Sequence, residues 1–186
     1  MKRYERSHAQ AKSKNTVERR DPHPSTPLRS AQDASTDFHL VIAGGKGWMV
    51  ESIFERVRQA GLEGRVHFPG FVDDADLPAL YSAAEIFAYV SLYEGFGLPL
   101  LEAMACGTPV IGSNASSLPE VIGEAGLPVD PRDVDDISRA LRQMIDQPEL
   151  RERSIELGLE RAKLFTWDKA ARELLAIYDQ LRPRRF

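Results

Sequence analysis

Residues 93–110 of the chain read YEGFGLPLLEAMACGTPV, and this stretch decides the fold. The apolar run at residues 86–90 before it predicts a buried strand, and Val110 begins the next one. Between them, Pro99 suits the first turn of a helix, because its φ is already fixed and it has no N–H to leave unbonded. Gly107 is typical of the left-handed residue that ends a helix. The stretch therefore predicts a strand, a glycine loop, a helix and a second strand.

The glycine loop predicts a binding site for an anion. The main-chain N–H groups of residues 95–98 lie at the start of the helix, where the helix dipole adds about half a positive charge. Such a terminus binds phosphate. Glu94 precedes these amides, and Glu102 follows Leu98 by four residues, about 6 Å along the same helix face. Because a glutamate can accept paired hydrogen bonds from neighbouring hydroxyls, the stretch predicts a site for a diphosphate, a sugar and a ribose.

The same residues resemble the donor-site signature of the group 1 glycosyltransferases, which are retaining enzymes with the GT-B fold. The resemblance rests first on Glu94 and Glu102, which are separated by seven residues within the glycine-containing motif. Further blocks between His39 and about Tyr178 match in order. These blocks are residues 40–48, 66–72, 77–81 and 117–121.

The resemblance implies transfer of a hexose from a nucleoside diphosphate sugar to a glycan or lipid, with retention of the anomeric configuration. Glu94 would be the catalytic residue and would hold the sugar hydroxyls, and Glu102 would hold the ribose. The donor would be a GDP- or UDP-sugar, with a preference for GDP-mannose, and no separate cofactor is implied. The implied donor-binding residues also include Gly95, Phe96, Gly97 and Leu98 at the diphosphate, Phe71 and Val72 along the nucleobase, and Gly44 and Gly45 in the first matching block.

Five predicted strands, at residues 38–43, 65–68, 86–90, 110–111 and 127–129, alternate with helices. This order predicts an α/β protein with a Rossmann-like open parallel sheet and helices on both faces. By resemblance, it is the C-terminal half of a GT-B fold. Helices are predicted from Asp133, from Pro148 and after a capping Thr166, with the aromatic and Met side chains of these helices in the core. The family's first strand, its basic diphosphate-binding pair and its acceptor domain are not recognisable.

The length of 186 residues predicts one domain, and the net charge of −4 argues against a nucleic-acid partner. Residues 1–30, however, carry eight Lys or Arg against three Asp or Glu. Since residues 1–36 have few apolar side chains and no regular period, they are predicted to form a disordered basic tail. The alternative is an arm that contacts a membrane surface or nucleic acid. The donor-binding domain would then cover residues 37–186.

Cys106 is the only cysteine, so no internal disulfide is possible and a reducing compartment fits. No run approaches the roughly 20 apolar residues of a membrane span, and the N-terminus lacks the apolar core of a signal peptide. The predicted location is the cytoplasm.

Two acidic patterns have alternative interpretations. Asp74 and Asp76 resemble the metal-binding pair of the other large glycosyltransferase fold, but acids just before a helix are more often caps. Ser117 and Glu120 have the spacing of a capping box, although Glu120 also fits a site residue. We therefore predict no metal site, and we expect Glu120 to bond back to the Ser117 amide.

Three functional hypotheses follow from these patterns. The first is a donor domain that works with a separate acceptor-domain polypeptide. The second is a truncated remnant without catalysis, or a module that only binds a nucleotide sugar. The third, a nucleotide-sugar epimerase of similar fold, fits less well because the match to the transferase motif is close.

Overall fold

A computed structural model describes residues 38–45 and 50–181, so the predicted tail at residues 1–36 lies outside the described part. The strands are Leu40–Ala43 (β1), Val66–Gly70 (β2), Phe87–Tyr89 (β3), Val110–Ser113 (β4) and Gly126–Val129 (β5). The helices are Glu51–Gln59 (α1), Leu77–Ala83 (α2), Leu98–Ala105 (α3), Leu118–Ile122 (α4), Val134–Asp146 (α5), Pro148–Ala162 (α6) and Trp167–Leu181 (α7). All five predicted strands are present, and the predicted fold class is confirmed.

The strands form two hydrogen-bonded sheets, where the sequence had predicted one. β1 pairs with β2, while β3, β4 and β5 form a second sheet with β4 in the centre. β3 pairs in parallel with β4 from Phe87 opposite Val110, and β4 pairs in parallel with β5 from Val110 opposite Gly126.

The chain divides into two compact units. In the described residues the first unit comprises 38–42 and 50–68, and the second comprises 43–45 and 69–181. Within the first unit, the rings of Phe54 and Phe68 lie 4.6 Å apart, which packs α1 on β2. His67 stacks on His39, and their Nε2 and Nδ1 atoms are 2.8 Å apart.

The three-stranded sheet of the second unit carries an apolar core on each face. Val110 belongs to a core with α2, α3, α4 and part of α6, whereas the next residue, Ile111, belongs to a core with α5. Successive side chains of a strand point to opposite faces, so this split shows that helices cover both sides of the sheet. Met144 of α5 is fully buried in the second core, as predicted for the Met position.

α7 contradicts the prediction that its aromatic side chains lie in the core. Trp167 is 82% exposed and Tyr178 is 57% exposed, and α7 has no buried residue in its described part. The apolar period was read correctly as a helix. The predicted burial was wrong, because a periodic apolar stripe shows only that one face of the helix could be covered. It does not show that another surface covers that face.

α3 ends as its sequence predicted. Gly107 has a φ of 74°, and its N–H donates to the carbonyl of Met104, while the N–H of Thr108 donates to the carbonyl of Ala103. These two bonds form the Schellman motif, which satisfies carbonyls that a helix end would otherwise leave unpaired. Gly107 therefore fixes the direction in which the chain leaves α3 and enters β4.

Gly107→Ala is expected to lower the free energy of unfolding by about 1 kcal/mol, because an L-residue is strained at a left-handed φ. Space is not the cause, since an added Cβ would lie 3.9 Å from the nearest atom, Cγ2 of Ile155. Urea unfolding followed by circular dichroism measures the change. Gly64→Ala is the control, because Gly64 has no positive φ and no atom within 4 Å of an added Cβ. Equal losses in the two variants would contradict the prediction.

The helices predicted from Asp133, from Pro148 and after Thr166 are all present, whereas the side-chain cap predicted before α2 is wrong. The Asp133 carboxylate accepts from the N–H groups of Asp135 and Asp136, and the Thr166 hydroxyl accepts from the N–H of Lys169. Asp76 is the N-cap residue of α2, but its side chain makes no capping bond. The carbonyl of Asp73 instead accepts from the N–H groups of Asp76 and Leu77, so the backbone itself forms the turn.

Candidate functional site

The N-terminus of α3 presents the predicted unpaired amides. Gly97 is the N-cap residue and has a φ of 107°. Within the described residues, the N–H groups of residues 95–98 have no hydrogen-bond acceptor. Residues 95, 96 and 98 are exposed and Gly97 is buried, so three of these four residues lie at the surface of the second unit. The first turn of α3 therefore has the donors and the dipole that attract an anion.

Glu94 is held in place by its side chain and its main chain. Its Oε1 accepts a 2.7 Å hydrogen bond from the Tyr89 hydroxyl, which lies at the end of β3. Its N–H donates to Oγ of Ser116 at 3.0 Å, and its carbonyl accepts from the Ser117 hydroxyl at 3.1 Å. The loop after β4 thus fixes the loop after β3, and Glu94 lies at the carboxyl end of the sheet, where ligands of α/β folds bind.

The contacts of Ser117 show that the predicted capping box is wrong. The Ser117 hydroxyl donates to the carbonyls of Glu94 and Phe96, and α4 has no side-chain capping bond at this residue. The Glu120 N–H instead donates to the Ser117 carbonyl. The Ser117 hydroxyl therefore bonds to the glycine loop, and the reciprocal bonds of a capping box, which the spacing predicted, are not formed.

Glu102 has an equivalent partner. Its Oε2 accepts a 3.0 Å hydrogen bond from the hydroxyl of Tyr81, which lies in α2 and is 8% exposed. The carbonyl of Tyr81 accepts a 2.7 Å bond from the buried Thr108 hydroxyl. Thr108 directly follows Gly107 at the end of α3. It therefore anchors Tyr81, whose hydroxyl contacts Glu102 in the middle of the same helix.

A row of three aromatic rings joins the two tyrosines. Phe87 of β3 meets Tyr81 edge-on at 5.1 Å between ring centroids and stacks on Tyr89 at 6.0 Å. Glu102 and Glu94 are therefore bonded to hydroxyls at the two ends of one packed row. Edge-on and stacked rings at these distances attract each other, which resists independent movement of either tyrosine.

Both hydroxyls remain protonated at neutral pH. Burial raises the pKa of Tyr81 well above the usual value, and the hydrogen bond to Glu102 raises it further. Burial also raises the pKa of Tyr89, again with a further contribution from the bond to its glutamate, Glu94. Each tyrosine consequently acts as a donor and each glutamate as an acceptor.

Each glutamate retains one carboxylate oxygen for another contact. Glu94 Oε2 and Glu102 Oε1 have no hydrogen-bond partner within residues 38–45 and 50–181. A carboxylate can accept about four hydrogen bonds, and each tyrosine uses one of them. Both glutamates can therefore accept hydrogen bonds from ligand hydroxyls while the amides of α3 bind an anion.

The Phe96 side chain packs against Phe165. Its ring meets Phe165 edge-on at 5.8 Å, and the guanidinium of Arg161 lies 5.4 Å from the centre of the Phe165 ring. The same guanidinium donates to the carbonyls of Val121 and Glu120 at the end of α4. These contacts give the Phe96 side chain a packing function, and its N–H is unpaired within the described residues.

The other predicted donor-binding residues lie around one hydrogen bond. The Gly44 N–H donates to the Gly70 carbonyl at 2.8 Å, which brings Gly44 and Gly45 next to Phe71 and Val72. Phe71 is 75% exposed. Within the described residues, no hydrogen bond or ring contact joins this group to Glu94 or Glu102.

The described ranges contain no group of three or more His, Cys, Asp or Glu side chains that could hold a metal ion. None of their helices has both the length and the apolar character that a membrane span needs.

Comparison with known proteins identifies the family. Residues 27–161 match the model of the glycosyl transferases group 1. The chain belongs to this family. Over 144 residues it is 44% identical to O-antigen chain mannosyltransferase B of Escherichia coli. This alignment covers 77% of this chain and 38% of that relative. The chain therefore spans about two fifths of the length of this curated relative.

Solved structures of glycosyltransferases have the same fold. Sucrose-phosphate synthase from Thermosynechococcus elongatus aligns with a TM-score of 0.69 and 34% identity, covering 77% of this chain and 38% of that one. HepE of Anabaena, in a structure with bound UDP, aligns with a TM-score of 0.65 and 25% identity. That alignment covers 75% of this chain and 41% of HepE. The matched region corresponds to part of a GT-B glycosyltransferase.

Sequence reasoning missed the residues that hold the two glutamates. Tyr81 lies 21 residues from Glu102 along the chain, and Tyr89 lies 5 residues from Glu94. Ser116, whose hydroxyl accepts a hydrogen bond from the Glu94 N–H, lies 22 residues from Glu94. The one available signal was the run of small residues after β4, at residues 114–116, which allows another segment to approach closely. The structure shows that Ser116 of this run contacts the glycine loop itself.

Proposed function

We propose that the second unit is the donor-binding part of a retaining hexosyltransferase. In this proposal the amides of residues 95–98 bind the diphosphate of a nucleoside diphosphate sugar, Glu102 accepts the ribose hydroxyls, and Glu94 accepts hydroxyls of the sugar near its reacting carbon. Gly44, Gly45, Phe71 and Val72 lie along the nucleoside. The observation that carries the proposal is the pair of glutamates, each with one anchored and one unpaired carboxylate oxygen, in a segment that also bears the unpaired amides.

The chemistry of such a site depends on position and charge. The bond between the anomeric carbon and the diphosphate oxygen breaks, and the acceptor oxygen bonds to the carbon from the same face, which retains the configuration. The acceptor proton passes to an oxygen of the departing diphosphate. The unpaired amides stabilise the charge that develops on that leaving group, and Glu94 holds the sugar in the reacting orientation.

We propose a mannosyl donor. The curated relative with 44% identity is a mannosyltransferase. UDP bound to the more distant HepE supports a uridine nucleotide as the competing choice. Calorimetric titration with GDP-mannose, GDP, UDP-glucose and UDP distinguishes them, and tighter binding of the guanosine ligands is the expected result.

The site needs no separate cofactor, and a separate acceptor-domain polypeptide is the partner that we expect. A cytoplasmic location also stays a prediction, which rests on the single cysteine.

Glu102→Ala is expected to weaken binding of nucleoside diphosphate by about 1.5 to 3 kcal/mol, the range for hydrogen bonds to a charged group. Both ribose hydroxyls lose their acceptor in this variant. Isothermal calorimetry with GDP and UDP measures the loss.

Glu156→Ala is the matched control, because Glu156 is an exposed helical glutamate on α6. Its affinity should equal that of the wild type. If Glu102→Ala also binds as tightly as the wild type, Glu102 does not contact the ribose. If the wild type binds no nucleoside diphosphate, the proposed function is wrong.

A further inference from the structure

We propose that Tyr89 and Tyr81 are positioning residues of the donor site, each holding one glutamate in the orientation that accepts ligand hydroxyls. This inference rests on the proposed function. Its physical basis is the pair of hydrogen bonds from Tyr89 to Glu94 Oε1, at 2.7 Å, and from Tyr81 to Glu102 Oε2, at 3.0 Å. Each bond occupies one carboxylate oxygen and leaves the other free for a ligand.

Neither tyrosine can easily turn away from its glutamate. Tyr81 is buried and packs edge-on against Phe87, and its carbonyl accepts from the Thr108 hydroxyl. Tyr89 stacks on the same Phe87 ring, at 6.0 Å between ring centroids. The aromatic row is therefore a rigid support that spans β3 and α2, and the two glutamates are bonded to its ends.

This support matters because a glutamate side chain loses rotational freedom when it is fixed by a ligand. Where a tyrosine already fixes the carboxylate in the free protein, less freedom is lost on binding, and affinity rises. The tyrosines also keep the phenolic proton at neutral pH, since burial raises the pKa of both. They consequently donate to the carboxylates in the free and bound protein, and they need not touch the ligand.

The two tyrosines should affect different parts of the ligand. Tyr81 holds the glutamate assigned to the ribose, so Tyr81→Phe should reduce the advantage of GDP over 2′,3′-dideoxy-GDP. Tyr89 holds the glutamate assigned to the sugar, so Tyr89→Phe should reduce the advantage of GDP-mannose over GDP. A phenylalanine keeps the ring and removes only the hydroxyl. We expect each ratio to fall about three- to tenfold, as for loss of one ordinary hydrogen bond.

The experiment measures these ratios by calorimetry for the full 186-residue chain and its variants. UDP, its dideoxy form and UDP-glucose replace the guanosine ligands if the wild type binds uridine nucleotides. Tyr178→Phe is the control, because Tyr178 is 57% exposed on α7. The ratio is the decisive readout, because a general loosening of the core weakens both ligands of a pair equally and leaves their ratio unchanged.

Each result supports or overturns the inference. Selective loss of the ribose ratio in Tyr81→Phe and of the sugar ratio in Tyr89→Phe supports it. Unchanged ratios, with normal binding by the wild type, overturn the inference and leave the proposed function intact. A wild type that binds neither GDP nor UDP overturns both.

A second measurement applies if a variant does not fold. In the wild type labelled at tyrosine Cζ with ¹³C, saturation with GDP should move the Tyr81 resonance further than saturation with dideoxy-GDP does. The Tyr89 resonance should move on addition of GDP-mannose and stay in place with GDP. Since Cζ reports on hydrogen bonding of the phenol, identical shifts with both ligands of a pair overturn the inference.

Discussion

A protein of these 186 residues is expected to form no glycoside over multiple turnovers, even when it binds a nucleotide sugar. Transfer needs an acceptor hydroxyl held about 3 to 3.5 Å from the sugar carbon, and positioning of this kind is worth roughly 7 to 11 kcal/mol. The matched region corresponds to 38% of the relative with 44% identity. Residues 93–110 contain no lysine or arginine, so within this stretch main-chain amides alone would stabilise the charge on the departing diphosphate.

The test uses labelled GDP-mannose and UDP-glucose with a set of lipid and oligosaccharide acceptors. Reactions without acceptor measure hydrolysis, and a full-length group 1 mannosyltransferase assayed in parallel shows that the donor and acceptors are competent. Calorimetry on the same preparation separates loss of binding from loss of transfer. Repeated turnover by the 186-residue chain alone would contradict the prediction. Turnover that requires a second polypeptide would support an enzyme assembled from two chains.

Gly97→Ala is expected to have the next largest effect, a loss of about 2 to 5 kcal/mol in the free energy of unfolding. Two costs add. Alanine at a left-handed φ costs about 1 to 2 kcal/mol, and forcing a methyl group into a packed core costs about 1 to 3 kcal/mol. Gly97 has a φ of 107°, and an added Cβ would lie 2.5 Å from Cδ2 of Leu118. Leu118 is fully buried, so it has little space into which to move.

Gly95→Ala is the matched control, two residues away in the same loop. An alanine there meets no atom within 4 Å, and Gly95 has no positive φ, so its stability should change by less than about 0.5 kcal/mol. Urea unfolding by circular dichroism compares the two variants. Nucleoside diphosphate affinity should also fall in Gly97→Ala, because the strained residue lies among the proposed phosphate-binding amides. Equal stability of the two variants would show that the loop relaxes freely around Leu118.

Features that depend on neighbouring residues could be predicted from the sequence. The end of α3 at Gly107, the start of α5 at Asp133 and the cap at Thr166 all depend on groups within five residues of one another along the chain. Such bonds form with whatever side chains the local sequence provides. The apolar strands around β4 were equally readable, since both faces of a parallel strand are buried and the run is almost continuous.

Features that involve distant partners could not be read in this way. The Ser117 hydroxyl had a local partner in its capping box, yet it donates to carbonyls in the loop after β3, 21 and 23 residues earlier. α7 had a clear apolar stripe, yet its side chains are exposed. In both cases the outcome depends on which surfaces the folded chain brings together.

The candidate site combines both kinds of information. The sequence by itself determined the glycine loop, the helix that follows it and the positions of Glu94 and Glu102, because local conformation and helical spacing follow from the order of residues. Only the tertiary structure decided which oxygen of each glutamate is anchored and which is free. Tyr81 and Tyr89 reach these carboxylates through the pairing of β3 with β4 and the packing of α2 on α3, and such pairing depends on the core as a whole.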